Sequence, residues 1–197
     1  VFRTPGMHPA NPALEALRRR GAAVTSEMEI FFQVCPCPVI AVTGSDGKTT
    51  TTTLLAEMLR AAGKTVWVGG NIGKPLLPEV GRMAPSDWAV VELSSFQLMD
   101  MDRSGHIAVV TNLAPNHLDV HKDMAEYVEA KSHVFAYQSE GDILILNRDH
   151  EITRSLAPGA PGQVRWFSRR ERPERGVFLE DGVIYRATPG GVREIMA

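Results

Sequence analysis

The sequence predicts an α/β fold: a P-loop-like, mostly parallel central sheet with helices on both faces. Three observations predict it. Short apolar runs rich in β-branched residues recur along the chain without period-2 alternation, as strands buried on both faces require. Helical stretches separate several of them, the pattern of parallel crossovers. The first run, Val39-Ile-Ala-Val-Thr43, empties into Gly44-Ser-Asp-Gly-Lys-Thr-Thr50, a glycine-rich turn that opens a helix.

The elements follow in order. Pro12–Arg20 reads as a short helix stopped by Gly21, and Ala22–Val24 as a strand. Glu27–Val34 is amphipathic and reads as a second helix. Pro36 and Pro38 then break the chain and mark a boundary. Residues 1–36 are too few to hold a core alone and read as the tail of another domain. Val39–Thr43 is a strand, Thr49–Ala62 a helix closed by Gly63, and Thr65–Val68, Trp88–Glu92 and Ile107–Thr111 are strands. Asp123–Tyr137 is a helix and Asp142–Asn147 a strand. From Val164 the texture shifts to short strands split by polar turns: Val164–Phe167, Gly176–Leu179, Val183–Arg186 and Val192–Ile195. The run 169–175, with four arginines and two glutamates, reads as a solvated turn.

Composition narrows the function. The 197 residues are 44% apolar, enough for a real core, and carry a net charge of −2, so no overall basic field points to nucleic acid. No secretion signal is visible, and no apolar run approaches the ~20 residues of a membrane span. The expectation is a cytoplasmic, non-membrane protein. Cys35 and Cys37 flank Pro36; two thiols do not complete a zinc site, and their spacing suits a disulfide poorly. They read as incidental reduced cysteines.

The chemistry concentrates beyond the strands' carboxyl ends, where open parallel sheets gather ligands. In 44–50, glycines let backbone N–H groups close on phosphate oxygens, and the helix start adds unsatisfied donors. Lys48 is placed to reach the β/γ-phosphates, and the Thr49 hydroxyl to ligate Mg²⁺. The usual pattern has a glycine where Val42 stands, so this is a tighter variant of the loop. Glu92, directly after an apolar strand, reads as a hard oxygen ligand for that Mg²⁺. Asn71 in Gly69-Gly-Asn-Ile-Gly73, His117 after Asn116, and Lys131 in the predicted helix lie near the same edge or its connections. By themselves these three are equally compatible with a glycine-turn asparagine, a loop histidine and a surface lysine.

Taken in order, Thr43–Thr50, Gly69–Gly73, Glu92-Leu-Ser-Ser-Phe-Gln-Leu98, Asn116-His-Leu-Asp119 and Ala130-Lys131 resemble the Mur ligases, as do Thr4-Pro5-Gly6 and Glu27–Phe32 upstream. The resemblance runs from about Thr4 to Asn147. It implies a three-domain, ATP-dependent amide ligase of peptidoglycan precursor synthesis that activates a carboxylate as an acyl phosphate. The 92–98 segment and the upstream motifs point to the branch joining D-glutamate to UDP-MurNAc-L-Ala. Residues 1–36 would be the remnant of a Rossmann-like UDP-binding domain and 37–197 an incomplete ATP-binding domain. By position, Gly44, Ser45, Asp46, Gly47, Lys48, Thr49 and Thr50 would hold ATP. Thr49 and Glu92 would hold one Mg²⁺, and His117 would hold a second with a carbamylated Lys131. Asn71, Ser94 and Gln97 would line the muramoyl side, and Gly6 the UDP end.

An ammonium beside Mg²⁺ is repelled, and its neutral amine can take up CO₂ to become an anionic ligand. Asn116 departs from the family's acid before the histidine. The family's adenine-contacting asparagine motif and C-terminal domain have no counterpart before Ala197. The reading therefore expects a monomeric fragment, inactive as a ligase by itself. A P-loop kinase or NTPase, and a non-catalytic nucleotide-binding module, are the competing readings.

Overall fold

The structure is a computed structural model and describes residues 1–114 and 121–196. The N-terminal part forms two short helices, α1 (Pro12–Arg19) and α2 (Glu27–Val34). Each start is written in the sequence. The Asn11 side chain caps α1 ahead of Pro12, and Ser26 with Glu29 forms a capping box on α2, satisfying donors that a helix start leaves open.

Strand β1 (Val39–Thr43) is followed by α3 (Lys48–Ala61), β2 (Val66–Gly70), β3 (Trp88–Glu92), the four-residue α4 (Ser95–Leu98) and β4 (Ile107–Val110). Then come α5 (Met124–Ser132), β5 (Ile143–Asn147), α6 (Glu151–Ser155), β6 (Gln163–Ser168), β7 (Gly176–Glu180), β8 (Val183–Thr188) and β9 (Gly191–Met196). All nine strands join one sheet in the order β2-β3-β1-β4-β5-β6-β7-β8-β9. Pairing is parallel from β2 through β7 and antiparallel for the last two pairs. The β7–β8 turn is Asp181-Gly182, both with positive φ, the two-residue hairpin that matches strand twist.

Both faces of the central strands are covered. Ile40, Val42, Val90 and Val109 pack against Leu55 and Leu59 of α3. On the other face Val39, Ala41, Val91, Leu144 and Leu146 share a core with Met28 and Phe31 of α2 and Tyr127 of α5. Burial of all five β1 residues is why that strand shows no alternation. No helix of the described residues is long and apolar enough to cross a membrane.

The structure corrects two expectations. Residues 22–24 are not a strand: they lie beside residues 1–3 through bonds such as Val1 N to Ala23 O and Arg3 N to Thr25 O, with a single bridge between Phe2 and Thr25. An apolar run needs a sheet edge to become a strand, and here none is adjacent. Helix α5 ends at Ser132 rather than Tyr137. Beyond it Val134 N, Phe135 N and Gln138 N bond three residues back. His133 is held by Ser104 Oγ donating to its carbonyl and by a 2.9 Å contact of its Nδ1 with Leu98 O, which bends the segment onto the β3–β4 connection. The run 169–175 is exposed apart from Pro173, as a solvated turn requires. Cys35 and Cys37 are free thiols with sulfurs 3.6 Å apart, and burial, first of all, pushes the Cys37 thiol up to about 12.

Candidate active site

Strand β1 ends at the sheet's switch point: its neighbours are β3 and β4, while the chain returns through β2 at the edge. Ligands bind in open α/β sheets at such a crevice. The 44–50 loop lies there. Gly44 has φ +150, and a Cβ at that position would collide with Thr111 Oγ1. Gly44→Ala should therefore cost at least the ~1–3 kcal/mol of a strained backbone, read as a lowered denaturation midpoint in urea. Wild-type stability in that variant would mean the loop is free to move away from β4.

The front of the loop is tied to the end of β4. Ser45 N donates to Asn112 O, Asp46 N to Asn112 Oδ1, and Thr111 Oγ1 donates to Asp46 O. Ser45 Oγ bonds Ala114 O and lies 3.0 Å from Tyr127 Oη. The back of the loop is open. Gly47 is the N-cap of α3, with φ +77 and no capping side chain. The first helical bond joins Thr51 N to Gly47 O, so the N–H groups of Lys48, Thr49 and Thr50 have no acceptor inside the helix. Asp46, Gly47, Thr49 and Thr50 are exposed and Lys48 is half-buried. This is an anion cradle at the start of a 14-residue helix.

Glu92 stands at the end of β3 and is 2% exposed. Thr49 Oγ1 donates to its Oε2 at 2.7 Å and Asn71 Nδ2 to its Oε1 at 2.9 Å. Asn71 reaches it because Gly70 passes so close to Glu92 that a Cβ there would run into the Glu92 carbonyl; Asn71 N donates to that carbonyl at 2.8 Å. Two neutral donors hold a buried carboxylate, and one of them belongs to the first turn of α3. Among the described residues no group of three or more His, Cys, Asp or Glu side chains is arranged to hold a metal. One carboxylate and one hydroxyl, completed by phosphate oxygens and water, match the way Mg²⁺ is bound.

Two lysines meet at one carbonyl. Lys48 Nζ donates to Gly44 O at 3.0 Å and Ser45 O at 2.9 Å. Lys131 Nζ donates to the same Gly44 O at 3.0 Å and to Thr43 Oγ1 at 3.3 Å, and sits 4.8 Å from the centre of the Tyr127 ring. Lys131 is 2% exposed. Burial foremost, and then the Lys48 charge, lower its pKa to about 7, with Glu92 opposing. At neutral pH a large share of this lysine is free amine.

The remaining predicted residues fall elsewhere. Ser94 and Gln97 form the capping box of α4: Ser94 Oγ donates to Gln97 Oε1 at 3.0 Å and accepts from Gln97 N at 3.3 Å. They start two residues past Glu92, beside the cradle. Gly6 is exposed in the turn after Arg3, whose guanidinium bonds α4, and is not brought to the loop. His117 lies outside the described residues. Sequence reasoning missed Thr43, Tyr127 and the pinning role of Thr111 and Asn112. Tyr127 did carry a signal, four residues before Lys131 on one helix face. His121, buried with Nε2 2.8 Å from Ser95 Oγ, carried none.

A glycine loop feeding an open helix start, with a carboxylate and two lysines at the same strand ends, defines a nucleotide-binding α/β domain of the P-loop kind. The chain belongs to the Mur ligase family: the profile of the Mur ligase middle domain matches residues 42–179. A UDP-N-acetylmuramoylalanine--D-glutamate ligase of Acetivibrio thermocellus is 53% identical over 184 residues, 93% of this chain and 40% of that protein. The enzyme of the same name from Ruminiclostridium cellulolyticum is 48% identical over 196 residues, 100% of this chain and 42% of that protein. The chain thus spans about 40% of the length of the curated relatives it matches. Among solved structures, a UDP-N-acetylmuramate:L-alanyl-gamma-D-glutamyl-meso-diaminopimelate ligase of Neisseria meningitides superposes with TM-score 0.65 at 18% identity, covering 97% of this chain and 65% of that one. A Thermotoga maritima MurF ligase, solved in complex with ADP, superposes with TM-score 0.60 at 19% identity, over 85% of this chain and 42% of that one. At these identities the structures speak to the fold.

Proposed function

We propose that this chain is the nucleotide-binding part of an ATP-dependent amide ligase that joins D-glutamate to UDP-MurNAc-L-Ala in peptidoglycan precursor synthesis. The observation that carries the reading is Glu92, buried between the Thr49 hydroxyl and the Asn71 amide at the edge of the open α3 N-terminus. ATP would supply the phosphoryl group that turns the substrate carboxylate into an acyl phosphate. The Lys48–Thr50 N–H groups and Lys48 would hold the phosphates, Lys48 exchanging the loop carbonyls for phosphate oxygens. Thr49 and Glu92 would hold one Mg²⁺. Lys131, as its carbamate, would hold a second with His117: the neutral amine adds CO₂ and loses a proton, placing an anion beside Lys48. Asn71, Ser94 and Gln97 would face the muramoyl group and Gly6 the UDP end. Residues 1–36 are assigned to the UDP-binding domain and 37–197 to the ATP-binding domain. The protein is taken as a cytoplasmic monomer.

The test is ADP release by the full-length protein. It should require both UDP-MurNAc-L-Ala and D-glutamate, and Lys48→Ala should lower it roughly 10- to 150-fold by removing a charge-assisted contact worth ~1.5–3 kcal/mol to the transferring phosphate. ADP release with neither acceptor, or full turnover by Lys48→Ala, overturns the reading.

A further inference from the structure

Arg3 belongs to none of the motifs discussed above, yet it is among the most buried charged residues, 4% exposed. Its guanidinium joins segments far apart in the chain. Nη1 donates to Met7 O at 2.7 Å, closing the Thr4–Met7 turn that contains Gly6. Nη2 donates to Phe96 O at 3.1 Å, inside α4. Nε lies 3.0 Å from Asp100 Oδ2 as an ion pair, without the alignment of a hydrogen bond. Arg18 of α1 holds the same assembly from outside, donating to Pro9 O at 2.8 Å and standing 3.8 Å from Asp100. Pro5 and Gln97 line one small cleft with Arg3.

The geometry points to Arg3 as a positioning residue that latches the Thr4–Met7 turn to α4 and so sets the spacing between that turn and the Ser94–Gln97 cap beside Glu92. This rests on the proposed function, in which the turn takes the UDP end of the substrate and the cap faces its muramoyl end. A ligand held at both ends is bound well only if its two holders keep a fixed separation. The guanidinium suits the task because its planar fork donates to carbonyls of the turn and of α4 while its Nε side faces Asp100; a lysine ammonium on a flexible stem does not reproduce that geometry. Asp100 keeps the charge from being buried alone. Helix α4 has four residues, too short to hold itself in place by its own bonds, so its position depends on such external ties.

The experiment compares Arg3→Lys and Asp100→Asn with wild type in the full-length protein, by two readouts. Hydrogen exchange needs no turnover. In Arg3→Lys the amides of Gln97, Leu98 and Met99 should exchange about tenfold faster, while β1 and β3 stay as in wild type. In steady-state kinetics the KM for UDP-MurNAc-L-Ala should rise about tenfold, the size of one lost bond to a charged group, with the KM for ATP within about twofold. Asp100→Asn keeps the Arg3 bonds to Met7 O and Phe96 O and should shift both readouts in the same direction by about threefold. Should Arg3→Lys fail to fold, Asp100→Asn decides. Unchanged exchange in α4, exchange that rises equally throughout the sheet, or KM values for sugar nucleotide and ATP that move together would overturn the latch. If wild type lacks ligase turnover, the proposed function fails on that result, and the exchange arm still decides whether Arg3 latches the turn to α4.

Discussion

Replacing Lys131 with methionine should stabilise the fold below neutral pH while abolishing ligase turnover. In the folded state the lysine's pKa is lowered from 10.5 to about 7, so folding favours its neutral form. The sign follows from proton counts. Between pH 7 and 10.5 the unfolded chain holds the proton and the folded chain does not, so wild-type stability rises across that window. Below about pH 7 both states are protonated, and the folded state bears the full cost of an ammonium buried beside Lys48. Methionine removes that cost, so Lys131→Met should be more stable by about 1–4 kcal/mol at pH 6, with the gap shrinking as pH rises toward 10.5. Urea unfolding across pH in CO₂-free buffer measures this. A gap that is absent, or that widens with pH, would mean the ammonium is better solvated than its 2% exposure implies. Under ¹³C-bicarbonate, wild type should show a carbamate carbon signal that Lys131→Met lacks. Activity of a Lys131→Ala variant should return in part with small carboxylic acids, which can occupy the vacated position. A fully active Lys131→Ala enzyme without additives would make this an ordinary helix lysine.

Glu92→Gln should lower turnover of the full-length protein at least about a hundredfold, the ~2.7 kcal/mol expected when a metal loses an anionic ligand that also stabilises transition-state charge. The size of the side chain is kept, but half of its hydrogen bonding is inverted. Thr49 and Asn71 both donate to the carboxylate, and a glutamine can accept from one while turning an N–H₂ toward the other. The cradle therefore loses both charge and order. High Mg²⁺ should restore part of the activity, since the Thr49 hydroxyl and the phosphate oxygens remain. A Mg²⁺ titration indistinguishable from wild type would make Glu92 a structural strand-end residue.

Much of the fold was legible because its signals are local. Val39–Thr43 and Trp88–Glu92 have the bounds their apolar runs suggested, and Ser26 and Asn11 cap helix starts through bonds that span three residues or fewer. The open loop ahead of α3 was legible for the same reason: glycine freedom, a helix start and Lys48 occupy one short segment. Residues 22–24 misled because their apolar character was local while the missing partner strand was not. Helix α5 was overextended because the bonds from Ser104 and Leu98 that end it come from another part of the chain.

The α/β class, most of the order of strands and helices, the glycine loop that opens α3 and the family were readable from local sequence. Each follows from periodicity, capping or contiguous motif chemistry. That Lys131 shares a carbonyl with Lys48, that Asn71 and Thr49 hold the two oxygens of Glu92, and that Arg3 bonds both the N-terminal turn and α4 emerges from the folded chain. Those contacts join residues up to 93 positions apart. The Glu92 contacts exist because parallel pairing brings the ends of β1, β2 and β3 to one edge. Burial there changes what the same side chains do: a lysine that reads as an ordinary surface cation has, once water is removed and a second cation placed beside it, its pKa lowered to about 7.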